Sequence, residues 1–293
     1  KNVEPLSREE SGEVWRKTKA LVLHKVGDVA RLQTDSLIIS SFIAVAMSGI
    51  VDNYNLVINA VTNFVNIIFN SVISSFGNLI ATETKERQYE LFQVYRFFAS
   101  WVYGFAVTGF FVLLTPLVRI WLGDAWVLPA SAVALILIDL YFKGDRIVLS
   151  NYKTAAGVFE QDKYLALIQG GVNLVLSIWL VQKIGLAGIY VGTVISGLIA
   201  NLTKPVIIYR VCFGRSSRSY FAESLRYAVT VAVLAAGLKL VGNRVMAQPA
   251  FGSFLLMVVI ITLVFNGVIL LLFGRSREFR YLKQVALKKL GKV

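Results

Sequence analysis

The sequence predicts an all-α polytopic membrane protein with about eight transmembrane helices. Three observations carry that expectation. The chain of 293 residues is 56% hydrophobic and only 16% charged, whereas soluble domains average about 45–50% and 25%. Its apolar residues fall in runs near the roughly 20 residues that cross a bilayer. Its basic residues collect in alternate connections between those runs, as cytoplasmic loops require.

The runs lie near 20–43, 50–82, 92–119, 127–153, 163–183, 185–210, 223–242 and 252–273. The first carries His24, Lys25, Asp28, Arg31 and Asp35 within an apolar stretch. The second holds seven asparagines, five of them on one face; it is too long for the bilayer, and at 1.5 Å per residue it projects beyond it. The third contains Pro116 and the sixth Pro205, where a helix can kink. The fourth holds Asp139, Lys143, Asp145 and Arg146. The sixth opens on Gly185, Gly188, Gly192 and Gly197, which predict close backbone contact. The seventh is short. The eighth has no charge from 253 to 273. Short outer connections at 46–49, 123–125 and 185–188 leave no room for an extracellular domain. The segments 220–226 and 277–289 mix aromatic or apolar with basic residues and read as amphipathic pieces on the inner leaflet.

With the N-terminus inside, 21 of the 30 basic residues fall in inner segments. Only Arg119, Lys183, Lys239 and Arg244 fall outside. That ratio puts both termini in the cytoplasm. The same rule accounts for the net charge of +13 without nucleic acid. The stretch 1–16 reads as an internal loop, and the chain as part of something longer.

Five basic residues (Lys25, Arg31, Lys143, Arg146, Lys204) and four acidic ones (Asp28, Asp35, Asp139, Asp145) interrupt the spans. At roughly 2.5–3.5 kcal/mol each, facing lipid would cost on the order of 25 kcal/mol, above a typical folding free energy. These groups must face protein or water. Helical spacing also sorts the polar residues. His24, Asp28, Arg31 and Asp35 share a face, as do Asn55, Asn59, Asn63, Asn66 and Asn70. Asp139, Lys143, Arg146 and Ser150 form a third set, Gln169, Asn173 and Ser177 a fourth, and Thr193, Gly197, Asn201 and Lys204 a fifth. A shared hydrophilic cavity explains five such faces. The plainer use of each is structural: ion pairs Asp28–Arg31 and Asp139–Lys143, asparagines joining helices, and Arg146 snorkelling.

Catalytic motifs are absent: no G-x-S-x-G, P-loop or H-E-x-x-H. One His and the single Cys212 form no metal-ligand set. Any driving force is then an ion gradient or the substrate's own.

Several segments resemble the oligosaccharide flippases, the O-antigen and polysaccharide exporters of the multidrug/oligosaccharidyl-lipid/polysaccharide superfamily. These are Thr34-Asp35-Ser36-Leu37-Ile38-Ile39-Ser40 with Gly49 and Asn53-Tyr54-Asn55-Leu56, then Ala155-Ala156-Gly157. Asn173, Ser177 and Leu180 follow, then Gly185-Leu186-Ala187-Gly188, Gly192-Thr193 and Ser196. The chain departs at Ala44 and Asp52, where the family commonly has Gly and Ser.

The resemblance implies one six-helix lobe plus a final helix pair: a cytoplasmic inter-lobe linker at 1–19, the lobe at 20–212, two further helices at 213–273 and a basic cytoplasmic tail at 274–293. It implies translocation of undecaprenyl-diphosphate-linked oligosaccharide across the bacterial cytoplasmic membrane by alternating access, without catalysis. Arg31, Lys143, Arg146 and Lys204 are the implied diphosphate contacts. Asn55, Asn59, Asn63 and Asn173 are the implied sugar contacts. Asp35 and Asp139 are implied carboxylates for a coupling Na+ or H+, or equally partners that neutralise the basic residues. Implied partners are membrane lipids, the missing N-terminal six-helix lobe, and a polysaccharide polymerase with its chain-length machinery. A cation-coupled drug or metabolite antiporter shares the fold. A membrane polysaccharide polymerase or acyltransferase fits the short outer loops and single His less well.

Overall fold

A computed structural model describes residues 7–8, 11–12, 14–15, 18–19, 22, 34–248 and 250–289. His24, Lys25, Asp28 and Arg31 lie outside the described residues. So do most of the first expected helix and its polar face.

No strand occurs among the described residues. Helix α1 is seen at 34–42. It is followed by α2 (Val45–Thr82), α3 (Lys85–Leu122), α4 (Ala130–Asp145), α5 (Ile147–Ala155) and α6 (Leu165–Ile184). Helix α7 (Leu186–Ile208) runs on into a π-helical turn, Tyr209–Phe213. Then come α8 (Arg218–Val245), α9 (Phe251–Phe273) and α10 (Arg277–Lys289). Among the described residues, six helices are long and apolar enough to cross a membrane: α2, α3, α6, α7 with its π turn, α8 and α9. Leu271 is 85% exposed and Leu263 69%, and Phe64, Ile67 and Val233 also point outward. Apolar surface of that extent belongs against lipid or another chain rather than water.

Three expected boundaries move. The turn placed at 46–49 lies at Ile43 and Ala44, where Ala44 is extended. The expected helix at 127–153 is two pieces of 16 and 9 residues. Neither alone reaches the length of a crossing. The break falls at Arg146, with φ −97° and ψ 0°, in the sparsely populated bridge region. The segment 220–226 is part of α8, and its Tyr220 is buried. The helices continue through Pro116 in α3 and Pro205 in α7.

Helix α3 is the mast of the assembly. One side packs on α2, α4 and α5, the other on α8 and α9. Phe97 meets Tyr227 and Phe273 there, and Val112 joins Leu238, Met257 and Ile261. Helix α10 is amphipathic as expected. Phe279 and Leu282 rest on that second apolar cluster, while Arg277, Arg280 and Lys283 are exposed.

Among the described residues, α6 packs mainly on α7. Gly185 turns the chain between them at φ +61°, a conformation that favours glycine. A Cβ on Gly188 would stand 2.4 Å from the Leu180 carbonyl, and one on Gly192 2.4 Å from Ser177 Oγ. Backbone blocks the first, so no side-chain rotation relieves it. Gly188→Ala is expected to lower stability by about 1–3 kcal/mol, read as an earlier thermal unfolding midpoint of the purified protein.

Among the described residues, the basic segments that open α3, α8 and α10 share one end of the bundle. Arg277 of α10 reaches Glu90 of α3 at 2.5 Å. Arg215 stacks on Tyr89 at 4.5 Å, and Tyr220 of α8 meets Asp145 of α4 at 3.0 Å.

Candidate translocation face

The long polar face of α2 forms because its tight packing is confined to another side. Val51, Tyr54, Ile58, Thr62, Val65, Phe69 and Phe76 are buried. Beside that buried face runs Asp52, Asn55, Asn59, Asn63, Asn66, Asn70, Ser74 and Asn78, spaced by three or four residues. Asn55 and Asn66 are half-buried and the other six exposed. From Asp52 to Asn78 the stripe runs about 39 Å at 1.5 Å per residue, longer than the roughly 30 Å hydrocarbon core. No side-chain hydrogen bond among the described residues engages Asn59, Asn63 or Asn70. Asn66 Oδ1 accepts the Tyr103 hydroxyl at 2.5 Å.

Tyr103 also joins the stripe to α4. Its ring lies where a Cβ on Gly144 would fall, 2.2 Å away, so Gly144 lets α3 and α4 close on each other. Lys143, next in the chain, is 45% exposed and pairs with the buried Asp139 carboxylate at 2.7 Å. The expected i,i+4 pair is therefore formed, and its ammonium stays accessible. Asn151 of α5 donates to the Phe69 carbonyl of α2 at 2.8 Å. These contacts hold the α4–α5 break alongside the 66–70 stretch of the stripe.

Arg146 does not snorkel. It is buried at the break and turns toward α7, donating to the Gly197 carbonyl at 3.2 Å and to Asn201 Oδ1. Asn201 Nδ2 returns a bond to the Phe142 carbonyl at 3.3 Å. Lys204 follows Asn201 by three residues on the same face of α7 and is half-buried. Two expected phosphate contacts, Arg146 and Lys204, are thus brought to one side of α7.

The polar faces of α6 and α7 meet each other instead of a common cavity. Gln169 donates to the Ser196 carbonyl at 3.0 Å, Asn173 to Thr193 Oγ1 at 3.0 Å, and Ser177 to the Ile189 carbonyl at 3.1 Å. Asn173 is wholly buried, so in this conformation it offers a sugar no surface. Gly188 and Gly192 let the two helices approach closely, and the polar side chains hydrogen-bond across them. Thr193 passes the contact on, donating to Asp35 of α1 at 2.9 Å. Asp35 is half-buried on that relay, and Asn173 Oδ1 has no hydrogen-bond partner among the described residues.

A second polar centre went unread in the sequence. Arg96, inside the run expected at 92–119 but counted only among the inner basic residues, is 1% exposed within α3. It bonds Glu223 at 2.6 Å, the Tyr220 carbonyl and Ser224 Oγ at 2.7 Å each, and stacks 3.7 Å over the Tyr220 ring. The signal was present as a lone charge in the apolar run 91–102. Lys153, the last residue of the run expected at 127–153 and counted among the inner basic residues, is buried against Asp162 at 2.5 Å. A cavity of about 440 Å³ opens beside Glu223, lined also by Gln93, Arg215 and Arg277. No group of three or more metal-ligating residues occurs among the described residues.

In comparisons with protein families, curated proteins and solved structures, nothing matches this chain.

Proposed function

We propose that the chain is the lobe of a flippase that moves undecaprenyl-diphosphate-linked oligosaccharide across a bacterial cytoplasmic membrane. The observation that carries this reading is the polar stripe of α2. It is as long as a bilayer is thick, and its central amides at Asn59, Asn63 and Asn70 are exposed and engage no described residue. Amides supply both the donors and the acceptors that sugar hydroxyls need, and each is too polar to be left against lipid without reason. Lys143 keeps its side chain partly exposed on α4, and Arg146 and Lys204 lie on the α7 side. An anionic diphosphate crossing between lobes finds cations there. Asp35, on the relay through Thr193, and Asp139, beside Lys143, are the carboxylates placed to take a coupling Na+ or H+. Both termini and the shared basic end face the cytoplasm in this reading, and a second six-helix lobe closes the other wall.

The test uses membrane vesicles containing the full protein and a fluorescent lipid-linked glycan. The expected result is glycan translocation that Lys143→Ala reduces at least tenfold, with protein abundance unchanged. Uptake of a cationic dye driven by a sodium or proton gradient, with no glycan movement, would instead make the protein an antiporter. Elongation or acylation of the glycan would make it an enzyme.

A further inference from the structure

The first turns of α8 and the end of α9 lie together, and an arginine covers the join. Arg226 of α8 holds its guanidinium 4.8 Å over the ring of Phe273, the last residue of α9, and 5.5 Å over the ring of Tyr227. Those two rings are buried and stand 5.5 Å apart, so the floor beneath the guanidinium is fixed. Arg226 itself is exposed, and it forms no ion pair among the described residues. Glu223, one turn earlier on α8, is bonded to Arg96 at 2.6 Å and to Gln93 at 3.2 Å. Rings hold a guanidinium by its face, and a phosphate takes it by its edge.

Depth identifies the anion. Helix α9 runs 23 residues without a charge, about 35 Å at 1.5 Å per residue, a little more than the roughly 30 Å hydrocarbon core. Its last residue, Phe273, therefore lies where the core meets the headgroups. From Arg226 to Val245, where α8 ends, the same rise gives about 29 Å, which puts Arg226 at the same boundary. On the core side Leu225, Val229 and Val233 step by four residues along α8, and Leu271 and Leu272 close α9; all five are exposed. On the water side Arg275 follows Phe273 by two residues and is exposed, as are Arg280 and Lys283 of α10. Helix α10 is held at this level: its Phe279 ring lies 5.8 Å from Trp101, which bonds Asn266 of α9 at 2.9 Å. The one carboxylate of α10, Glu278, lines the cavity beside Glu223.

We propose that Arg226 and Arg275 bind the phosphate of an anionic phospholipid from the leaflet at the basic end, with an acyl chain along Leu225, Val229 and Val233. Cations at this depth attract anionic headgroups, and the planar fork of arginine takes a phosphate with two donors at once. A zwitterionic headgroup brings its own ammonium into the same group of cations, which repel it. The bound lipid ties the start of α8 to the turn between α9 and α10. The site stands apart from the α2 stripe and holds whatever the protein transports.

Native mass spectrometry of the purified full chain in detergent tests this, with phosphatidylglycerol and phosphatidylcholine of matched acyl chains added in turn. The expected result is that phosphatidylglycerol binds about tenfold more tightly. Arg226→Gln should remove that preference, and Arg275→Gln should reduce it about threefold. Arg218→Gln, which removes an exposed arginine of α8 that stacks on neither ring, should leave it intact. Equal binding of the two lipids by the wild-type protein, or an undiminished preference in Arg226→Gln, overturns the proposal. Should Arg226→Gln not fold, Arg275→Gln decides alone, and an undiminished preference there overturns it.

Discussion

Arg96→Leu is expected to be the most damaging single change in the described fold, lowering stability by about 3–5 kcal/mol. The guanidinium makes three polar contacts to α8 and is the cation bonded to Glu223 and, through Ser224, to Asp145. Leucine keeps the bulk of the side chain and removes the charge. Asp145 is then buried without compensation, while Glu223 can still turn to the cavity for water. Pairing Arg96→Leu with Glu223→Gln and Asp145→Asn should recover much of the loss, because removing all the charges leaves none uncompensated. Thermal unfolding of the purified variants in detergent measures both effects. A single-variant loss below about 1 kcal/mol, the range of an exposed ion pair, would show that the cluster does not hold α8 in place.

Asn59→Leu/Asn63→Leu is expected to act in the opposite way. Neither amide bonds any described residue, so stability should change by no more than about 0.5 kcal/mol, as for surface positions. Translocation of lipid-linked glycan should fall by tenfold or more. Two lost hydrogen bonds of about 1 kcal/mol each exceed the 1.4 kcal/mol that a tenfold change represents. The two readouts separate the roles. A large stability loss with proportional loss of transport would make the asparagines structural, and unchanged transport in a stable protein would remove them from the path.

The sequence is most legible where the physics is local. The uncharged run near 252–273 became α9, Phe251–Phe273. The period of the asparagines in α2 marked a face that the fold leaves uncovered. The Asp139–Lys143 spacing formed its ion pair. What the sequence hid depends on partners far along the chain. Periodicity told which residues of α6 and α7 share a face but not that the two faces meet, so Asn173 was assigned to a cavity and is buried against Thr193. The break at Arg146 has no proline or glycine to announce it at that position. It is held by a side chain that reaches α7, some fifty residues on. Arg96 looked like one more cation of a basic connection because Glu223 and Ser224 lie in another helix. The charge asymmetry was legible as a pattern, and among the described residues the basic segments that open α3, α8 and α10 meet at one end.

The measurement closest to the central claim is water access along α2 in membranes. In a Cys212→Ser background, single cysteines replace Asn59, Asn63 and Asn70 on the stripe and Phe64 and Ile68 on the apolar side. Each variant is then exposed to a membrane-impermeant maleimide. The account predicts rapid labelling of Asn59→Cys, Asn63→Cys and Asn70→Cys and little labelling of Phe64→Cys and Ile68→Cys. Equally slow labelling at all five positions would mean that the stripe faces lipid or protein, and no hydrated path for a glycan runs along it.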